Sequence, residues 1–475
     1  MISAGPSHSK APGPRRLGMT VLGDFILSEG SAQVVDNLLQ AGVTDVATNP
    51  TVSAPAPRGT GTLQPPADAG TSPRKFDRPL FGHSALWLQS APSFHPDRTL
   101  YRQQKYGPRR VKELTDASGH VIGEFIRHAV DAGIRVHFQL GAVQPTGLQN
   151  DDRPRLPNGE LVKNRMADTA CLASSAVRDY NHAYVRDLIQ HYPEVTGFRI
   201  DWPEYPCYTL DEVFQDFHPH VRSFAAQSDL DFVAALHGAQ NFREWLLLQL
   251  DNRHVDIFLH EPFSMLQLAA RFPGVSDWLR LKAALSLDTI ASWQQILQDA
   301  GRYELTAHAF MPPFSMLTGF HFSRAASHCD AISPKLYTMH WPLMVWFWAT
   351  ALGRTNPHLD QRRLSQAIAL MLGLGDRDAV QANAGNYRYP EPHEPHPIPG
   401  VVQQQRLQEV RAAIPQDAPT QIIPLVHGYG PPDDFDKRFA LAWNGPCDGI
   451  WINRYGYLSD EKLSAVRRVV RGTAR

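Results

Sequence analysis

Short apolar runs alternate with amphipathic helical patterns along almost the whole sequence. The clearest helical pattern is SAVRDYNHAYVRDLIQHYPEV, which places Val177, Tyr180, Tyr184 and Leu188 on one stripe and leads directly into the apolar run GFRID. About eight such runs, mostly separated by helices, are typical of a (β/α)8 TIM barrel. Their continuous apolar character fits a parallel sheet that is covered by helices. The predicted fold class is therefore α/β, a TIM barrel with long inserted loops.

The eight strand candidates begin after a first helical segment, SEGSAQVVDNLLQAGV. In chain order they are TDVATNP, SALWLQSAP, RVHFQLGA, GFRIDW, ELTAHAF, DAISPKLYTMHW, TQIIPLVHGYG and DGIWINRYGY. A long helical region from Leu210 to about Gly301 separates the fourth from the fifth. A two-domain, doubly wound sheet is the alternative, and the lack of a GxGxxG turn after the first candidate argues against it.

The ends and loops of the chain complete this domain prediction. Residues 1–18 contain basic residues but no apolar signal-peptide core, so we expect a disordered tail followed by one barrel domain over 19–475. Proline-rich composition predicts long loops at about 52–78 and 375–402.

Composition excludes several classes of function. The formal net charge of -1 and the pI of about 7.1 provide no strong field to attract nucleic acid or an anionic membrane. The four cysteines form no CxxC pair, so we expect reduced thiols rather than a disulfide framework or a zinc site. The longest apolar stretch, PLMVWFWATALG, is too short to span a bilayer. We expect a cytoplasmic protein without a cofactor.

Polar and aromatic side chains gather where the predicted strands end, which is where TIM barrels carry their chemistry. Alternation along the fourth strand puts Arg199 and Asp201 on one face. We expect Asp201 to point into the barrel mouth and Arg199 below it to keep it ionised. The other strand ends contribute Asn49, Trp87, Gln89, Gln139, His308, Lys335, Tyr337, His340, Trp341, His427, Tyr429, Asn453 and Tyr455. With Arg199 and Trp202, this ring predicts a carbohydrate site, because sugars stack on aromatic rings and need paired donors and acceptors.

Two sequence motifs give the prediction a family context. GFRID resembles the fourth-strand motif of the alpha-amylase family, in which an arginine precedes the nucleophilic aspartate by two residues. DWPEYP is similar to the DWEYP of chitinase-like hydrolases, in which the glutamate is the general acid. Both families are TIM-barrel glycoside hydrolases. The resemblance implies a glycosidase with Glu204 as general acid and Asp201 as nucleophile, electrostatic stabiliser or orienting partner.

The sequence also departs from both families. HAFMPPF supplies no glutamate at the end of the fifth strand, and His427 is followed by Gly428 instead of an aspartate. Pro203 puts Glu204 three positions after Asp201, so the two carboxyls share a site only if the backbone turns near Pro203. Glu261, if its run is a strand end, and the pair Asp433 and Asp434 are further candidates for the second carboxylate.

Other interpretations remain open at this point. A non-catalytic carbohydrate-binding barrel or pseudoenzyme would keep the ring without a working carboxylate pair. A metal-dependent hydrolase is suggested by the HxH spacing of His218 and His220. Trp202 and Trp341 are alternatively core residues under the loops. The three histidines of the ring are alternatively hydrogen-bonded pocket residues.

Overall fold

The computed structural model describes residues 15–67, 75–261, 264–376 and 380–472. Eight parallel strands form one closed ring, because the fifth strand pairs with the sixth and the eighth pairs with the first. The strands are β1 Arg16–Thr20, β2 Asp45–Thr48, β3 Arg135–Gly141, β4 Gly197–Asp201, β5 Glu304–Phe310, β6 Ala331–Leu336, β7 Gln421–Ile422 with Leu425–His427, and β8 Gly449–Asn453. Pro424 lies in the interruption of β7, where its missing N–H cannot continue the ladder. The predicted (β/α)8 barrel is confirmed.

Helices surround the ring of strands. They are α1 Gly23–Glu29, α2 Ser31–Ala41, α3 Glu113–Ser118, α4 His120–Asp131, α5 Ser175–His191, α6 Leu210–Val213, α7 Pro219–Gln227, α8 Phe232–Leu248, α9 Asn252–His260, α10 Ser264–Arg271, α11 Gly274–Ala300, α12 Phe314–Thr318, α13 Phe322–Ala325, α14 Trp341–Thr355, α15 Gln361–Met371, α16 Gly400–Ala413, α17 Pro432–Trp443 and α18 Asp460–Gly472. No helix among the described residues is long and apolar enough to cross a membrane.

Local sequence signals set the bounds of these helices. Ser174 caps α5, since its hydroxyl accepts a hydrogen bond from the Val177 N–H at 3.3 Å. Gly42 ends α2 in the left-handed conformation, with φ of 81°. The outward-facing Phe198 and Ile200 of β4 are buried in the main core, between the strands and the helices.

A large aromatic ring, the indole of Trp451, lies in the interior of the barrel. Trp451 of β8 belongs to a small second apolar cluster with Ala47, Ala331, Ile423 and Leu425. Gly18 of β1 faces this ring, and a Cβ atom there would overlap the ring carbons of Trp451. A residue without a side chain at position 18 therefore makes room for the indole.

Charged residues at the starts of the strands close the opposite end of the barrel. Arg16 Nη2 lies 2.7 Å from Asp45 Oδ1, and Arg16 Nη1 lies 2.7 Å from Glu304 Oε1. Arg135 Nη2 lies 2.8 Å from the same Asp45 oxygen, and His137 Nε2 lies 3.1 Å from it. Burial alone would raise the pKa of Asp45, but its bonds to His137 and Arg16 hold that pKa well below its usual range. We call Arg16, Asp45, Arg135 and Glu304 the floor ring.

Two of the strand predictions need correction. β1 begins at Arg16, inside the segment 1–18 predicted as a tail, whereas residues 1–14 lie outside the described part of the chain. Leu86–Pro92, predicted as the second barrel strand, instead forms an antiparallel sheet with Thr51–Pro55 and Thr62–Gln64. The predicted number of eight barrel strands is right, but one predicted strand lies outside the barrel and one barrel strand lies outside the predicted set. A β-like sequence pattern does not reveal which other strand it will pair with.

The predicted long loops contain some regular structure. Most of Thr51–Pro55 and all of Thr62–Gln64 lie within the loop predicted at 52–78, of which residues 68–74 are outside the described chain. The loop at 375–402 includes a short 3-10 turn, Ala384–Tyr387, and the first residues of α16, and residues 377–379 are likewise not described.

Candidate active site

Asp201 ends β4 at the carboxyl end of the barrel, with 27% of its side chain exposed. Lys335 Nζ lies 2.7 Å from its Oδ1, and His308 Nδ1 lies 3.4 Å from the same oxygen. Burial would raise the pKa of Asp201, but the charge of Lys335 and the hydrogen bond from His308 bring that pKa below its usual range. Asp201 is therefore an ionised, accessible carboxylate.

Arg199 lies one layer deeper and does not pair with Asp201. Its Nη2 lies 3.0 Å from His308 Nε2 and 3.3 Å from Ser333 Oγ, and its Cζ lies 3.6 Å from the ring centre of Trp451. The prediction that Arg199 keeps Asp201 ionised is wrong. Residues two apart on one strand are separated by about 7 Å, whereas side chains of neighbouring strands reach closer. Lys335 from β6, and not Arg199, is thus the cation that pairs with Asp201.

The chain turns sharply at Trp202, one residue before the turn expected at Pro203. Trp202 has φ of 61°, and its N–H donates a hydrogen bond of 3.1 Å to Asp201 Oδ1. The half-buried indole lies over Lys335, whose Nζ is 3.8 Å from the ring centre. Lys335 is therefore held between the Asp201 carboxylate and the face of Trp202.

Glu204 follows this turn and is completely buried. Its Oε1 accepts a hydrogen bond of 2.7 Å from the N–H of Phe310, and its Oε2 is bonded to the hydroxyl of Thr318. Burial raises the pKa of Glu204 to about 7, although the charge of Lys335 partly opposes the shift. Thr318 Oγ1 also lies 3.2 Å from the carbonyl oxygen of Ser315, so a protonated Glu204 can donate to Thr318 while Thr318 donates to Ser315.

An aromatic and histidine cluster lies beside Asp201 on the later strands. Tyr337 is partly exposed, and its hydroxyl accepts a hydrogen bond of 2.6 Å from Asn453 Nδ2. Its ring stands edge-to-face against His340 at 5.2 Å and against His427 at 5.3 Å. The buried Tyr429 donates its N–H to His427 Nδ1 at 3.0 Å. The structure therefore brings these five predicted residues together.

Gln139 lies at the opening of the barrel, on the side of the strands that come first in the chain. It is partly exposed on β3, and its Oε1 accepts a hydrogen bond of 3.3 Å from the Thr20 hydroxyl. Gln139, Asp201, Trp202 and Tyr337 are thus among the partly exposed side chains at the strand ends.

Other members of the predicted ring have different surroundings. Trp341 is buried as the first residue of α14, with its ring 6.0 Å from that of Phe314. Tyr455 is buried outside the barrel, and its hydroxyl donates to Glu29 at 2.8 Å. These two predictions are wrong because the residues lie beyond their strands, where the alternation of side chains no longer applies.

The residues predicted at the ends of the first two strands also lie in surroundings that differ from the prediction. Asn49 accepts a hydrogen bond of 2.9 Å from the Gly23 N–H and donates to the Thr51 hydroxyl, so it is engaged in holding the loop after β2. Trp87 and Gln89 lie on the antiparallel sheet and not on a barrel strand.

The alternative carboxylates lie elsewhere on the barrel. Glu261 is exposed and directly follows α9, so its run is a helix and not a strand end. Asp434 pairs with Arg438 at 2.7 Å, and Asp433 is exposed in the first turn of α17.

The HxH pair is engaged in local structure. His218 caps α7, since its Nδ1 accepts a hydrogen bond of 3.1 Å from the His220 N–H, and His220 Nε2 lies 3.2 Å from Asp152. In the described part of the chain, no group of three His, Cys, Asp or Glu residues is arranged to hold a metal ion.

Sequence reasoning missed two residues that position the site. The hydroxyl of Tyr208 lies 2.7 Å from His340 Nδ1, and Thr318 of α12 holds Glu204. Tyr208 follows DWPEYP closely, so its position was a usable signal. Thr318 gives no such signal, because it lies after β5 and reaches Glu204 only through the fold.

Comparison with known proteins finds no family model and no curated protein that matches the sequence. Among solved structures, the catalytic domain of beta-amylase from Paenibacillus polymyxa is 9% identical, with 97% of this chain and 99% of that chain covered and a TM-score of 0.49. Beta-galactosidase from the psychrophilic Marinomonas ef1 is 11% identical, with coverage of 97% and 59% and a TM-score of 0.44. Chitinase from Chromobacterium violaceum is 8% identical, with coverage of 96% and 99% and a TM-score of 0.41. This chain thus spans 59% of the length of that beta-galactosidase. The assignment of the fold rests on the closed ring of strands itself.

Proposed function

We propose that this protein is a glycosidase-like hydrolase in which Asp201 and Glu204 are the two working carboxyl groups. The observation that carries the proposal is the contrast between the surroundings of the two carboxyls at the end of one barrel strand, since Asp201 Oδ1 lies 2.7 Å from Lys335 Nζ whereas Glu204 is completely buried. Lys335 and His308 lower the pKa of Asp201, whereas burial raises that of Glu204 to about 7. A pair of carboxyls whose environments separate their pKa values can divide acid and base roles between them.

The division of roles follows from the protonation states. Near neutral pH a large share of Glu204 is protonated, so it can give its proton to the glycosidic oxygen as the bond to the anomeric carbon breaks. Asp201 is ionised, and it either attacks the anomeric carbon or takes a proton from an attacking water. In both cases one water molecule is consumed and two hydroxyl groups are produced.

The side chains around Asp201 favour a sugar as the ligand. Trp202 and Tyr337 are partly exposed aromatic rings, and Gln139 on β3 supplies a partly exposed amide. Aromatic faces bind the C–H surfaces of a pyranose, and amides pair with its hydroxyls.

The burial of Glu204 adds a structural requirement. Because Glu204 has no exposed surface, proton transfer to a substrate requires that the segment covering it moves when the sugar binds. The turn at Trp202 lies between Asp201 and Glu204 in the chain, and we propose that this turn opens.

Enzyme assays with matched variants test the proposal. A panel of aryl-glycosides and oligosaccharides is assayed with the parent protein, Asp201→Asn and Glu204→Gln, and binding is measured in parallel by calorimetry. We expect turnover by the parent that declines as the pH rises through about 7, and loss of turnover with retained binding in both variants. Asp433→Asn, which changes an exposed carboxylate on α17, should keep full activity. Unchanged turnover by Glu204→Gln would refute the assignment of the acid.

A second function, a non-catalytic carbohydrate-binding barrel, is favoured by a specific pair of contacts. Lys335 neutralises Asp201 at 2.7 Å, and Glu204 is covered and bonded through both oxygens. In this case the same panel would give calorimetric binding of sugars and no turnover by the parent at any pH.

A further inference from the structure

We infer that Arg199 is a positioning residue that fixes His308 as the neutral tautomer with its proton on Nδ1. In this state the imidazole directs an N–H towards Asp201 and does not act as an acid or a base. The inference goes beyond the proposed function and does not depend on it, because it concerns the state of a side chain and not an activity.

The argument begins with the chemistry of the guanidinium group. Arg199 Nη2 lies 3.0 Å from His308 Nε2, and both side chains are completely buried. A guanidinium has five N–H donors and no acceptor, so His308 Nε2 must supply the lone pair in this hydrogen bond. A neutral imidazole with a lone pair on Nε2 carries its proton on Nδ1.

The other side of the imidazole agrees with this assignment. His308 Nδ1 lies 3.4 Å from Asp201 Oδ1, and an ionised carboxylate can only accept. Arg199 therefore donates to His308, and the His308 Nδ1–H faces the Asp201 carboxylate at 3.4 Å. The opposite tautomer would place two N–H groups against each other at Nε2 and two lone pairs against each other at Nδ1.

Charges around the ring oppose its protonation. His308 on β5 faces Arg199 and Asp201 from β4 and Lys335 from β6, which are two cations and one carboxylate. Burial is the largest cause that lowers the pKa of His308, to about 4, and Arg199 and Lys335 add to that shift against the effect of Asp201. A protonated ring would also have to give up the bond from Arg199.

The position of Arg199 is itself well fixed. Its guanidinium stacks on Trp451 at 3.6 Å and reaches Ser333 Oγ at 3.3 Å, and the part of the chain that the structure describes contains no ion pair to it. A buried cation without a carboxylate partner is costly. An arginine with a purely structural role would not need a hydrogen bond to a neutral imidazole. The bond from Arg199 to His308 is therefore a specific arrangement.

Nuclear magnetic resonance of the full chain tests the tautomer directly. The protein is labelled with 15N-histidine, and the His308 signals are identified as those lost from the spectrum of His308→Asn. We expect the Nδ1–H tautomer and no protonation between about pH 5 and 8, where surface histidines of the same sample provide the reference for a titrating ring. An Nε2–H tautomer, or protonation of His308 in this range, would overturn the inference.

Two variants of Arg199 separate positioning from packing. Arg199→Met keeps a long apolar stem against Trp451 but removes every donor, so the Nε2 signal of His308 should shift and the pKa of His308 should rise above that of the parent protein. Arg199→Lys keeps a cation that can donate to Nε2, so His308 should retain the Nδ1–H tautomer. A folded Arg199→Met protein with an unchanged His308 signal would also contradict the inference. If that variant does not fold, the spectrum of the parent protein alone decides the question.

Discussion

Lys335 and Asp201 form a close ion pair whose two members are buried to different degrees. Their charged atoms are 2.7 Å apart, but only 4% of the Lys335 side chain is exposed compared with 27% of Asp201. A charge that loses its partner is costly in proportion to its burial. The two halves of this pair should therefore respond differently to mutation.

Asp201→Asn should destabilise the protein more than Lys335→Met does. The first change leaves a buried ammonium group without its counter-ion, and we expect a loss of about 3 kcal/mol in the free energy of unfolding. The second leaves a carboxylate that water can reach, and we expect a loss of about 1 kcal/mol. Urea denaturation of both variants at pH 7 measures the difference. A larger loss for Lys335→Met would contradict the assigned burial of the pair.

Glu204 should make the stability of the protein depend on pH. Its pKa in the folded protein is about 7, above the value of 4.5 for an unperturbed glutamate, so the folded state binds the extra proton between these values. Stability should therefore decrease as the pH rises through this window. Glu204→Gln has no proton to lose and should gain about 3 kcal/mol relative to the parent between pH 4.5 and 8.

Urea denaturation at several pH values measures this difference for Glu204. The comparison uses the difference between variant and parent, so that the many histidines common to both proteins cancel. A difference that does not change with pH would mean that Glu204 is ionised in the folded protein.

Gly18→Ala should destabilise the barrel because the added methyl group overlaps Trp451. Overpacking of this kind typically costs about 1–3 kcal/mol, and we expect the upper part of that range since the overlapping Trp451 ring is buried. Gly123→Ala is the matched control. Gly123 lies in α4 with no atom closer than 3.5 Å to a built Cβ, so alanine should be neutral or stabilise the helix by up to about 1 kcal/mol. Thermal denaturation of the two variants distinguishes them.

Asp45→Asn should weaken the protein at neutral pH through the floor ring. The folded-state pKa of Asp45 is lowered, so its stabilising effect is present above its unfolded pKa, near 3.9, and is lost as the pH falls towards the folded value. The variant leaves Arg16 and Arg135 short of a carboxylate, and we expect a loss of about 3–5 kcal/mol at pH 7. Below about pH 4 the difference from the parent should shrink. Asp433→Asn, an exposed change, should stay within about 0.5 kcal/mol of the parent in the same measurement.

The sequence predicted the fold class well because the alternation of apolar runs and helices is a local signal. It did not identify which runs form the barrel. Leu86–Pro92 has the composition of a strand but pairs antiparallel outside the ring, whereas Arg16–Thr20, which is parallel to its neighbours in the ring, lies mostly in the segment predicted as a tail. Contacts between distant parts of the chain determine which strands pair in a sheet, and these contacts cannot be read from a single sequence.

For the candidate site, alternation along β4 correctly placed Asp201 at the opening. The partner of Asp201 could not be read in this way, because Lys335 arrives from β6, more than a hundred residues later in the chain. Trp341 and Tyr455 were misplaced for a related reason. Each follows the end of its strand, where the path of the backbone depends on helix packing and not on the pleat.

The floor ring and Trp451 together close one end of the barrel in the described part of the chain. Arg16 and Arg135 bind Asp45 and Glu304 across the base, and the indole fills the space above them. A ligand that binds at Asp201 would therefore enter and leave on the side of Trp202. A change at this tryptophan should therefore alter the rates of ligand binding and release together.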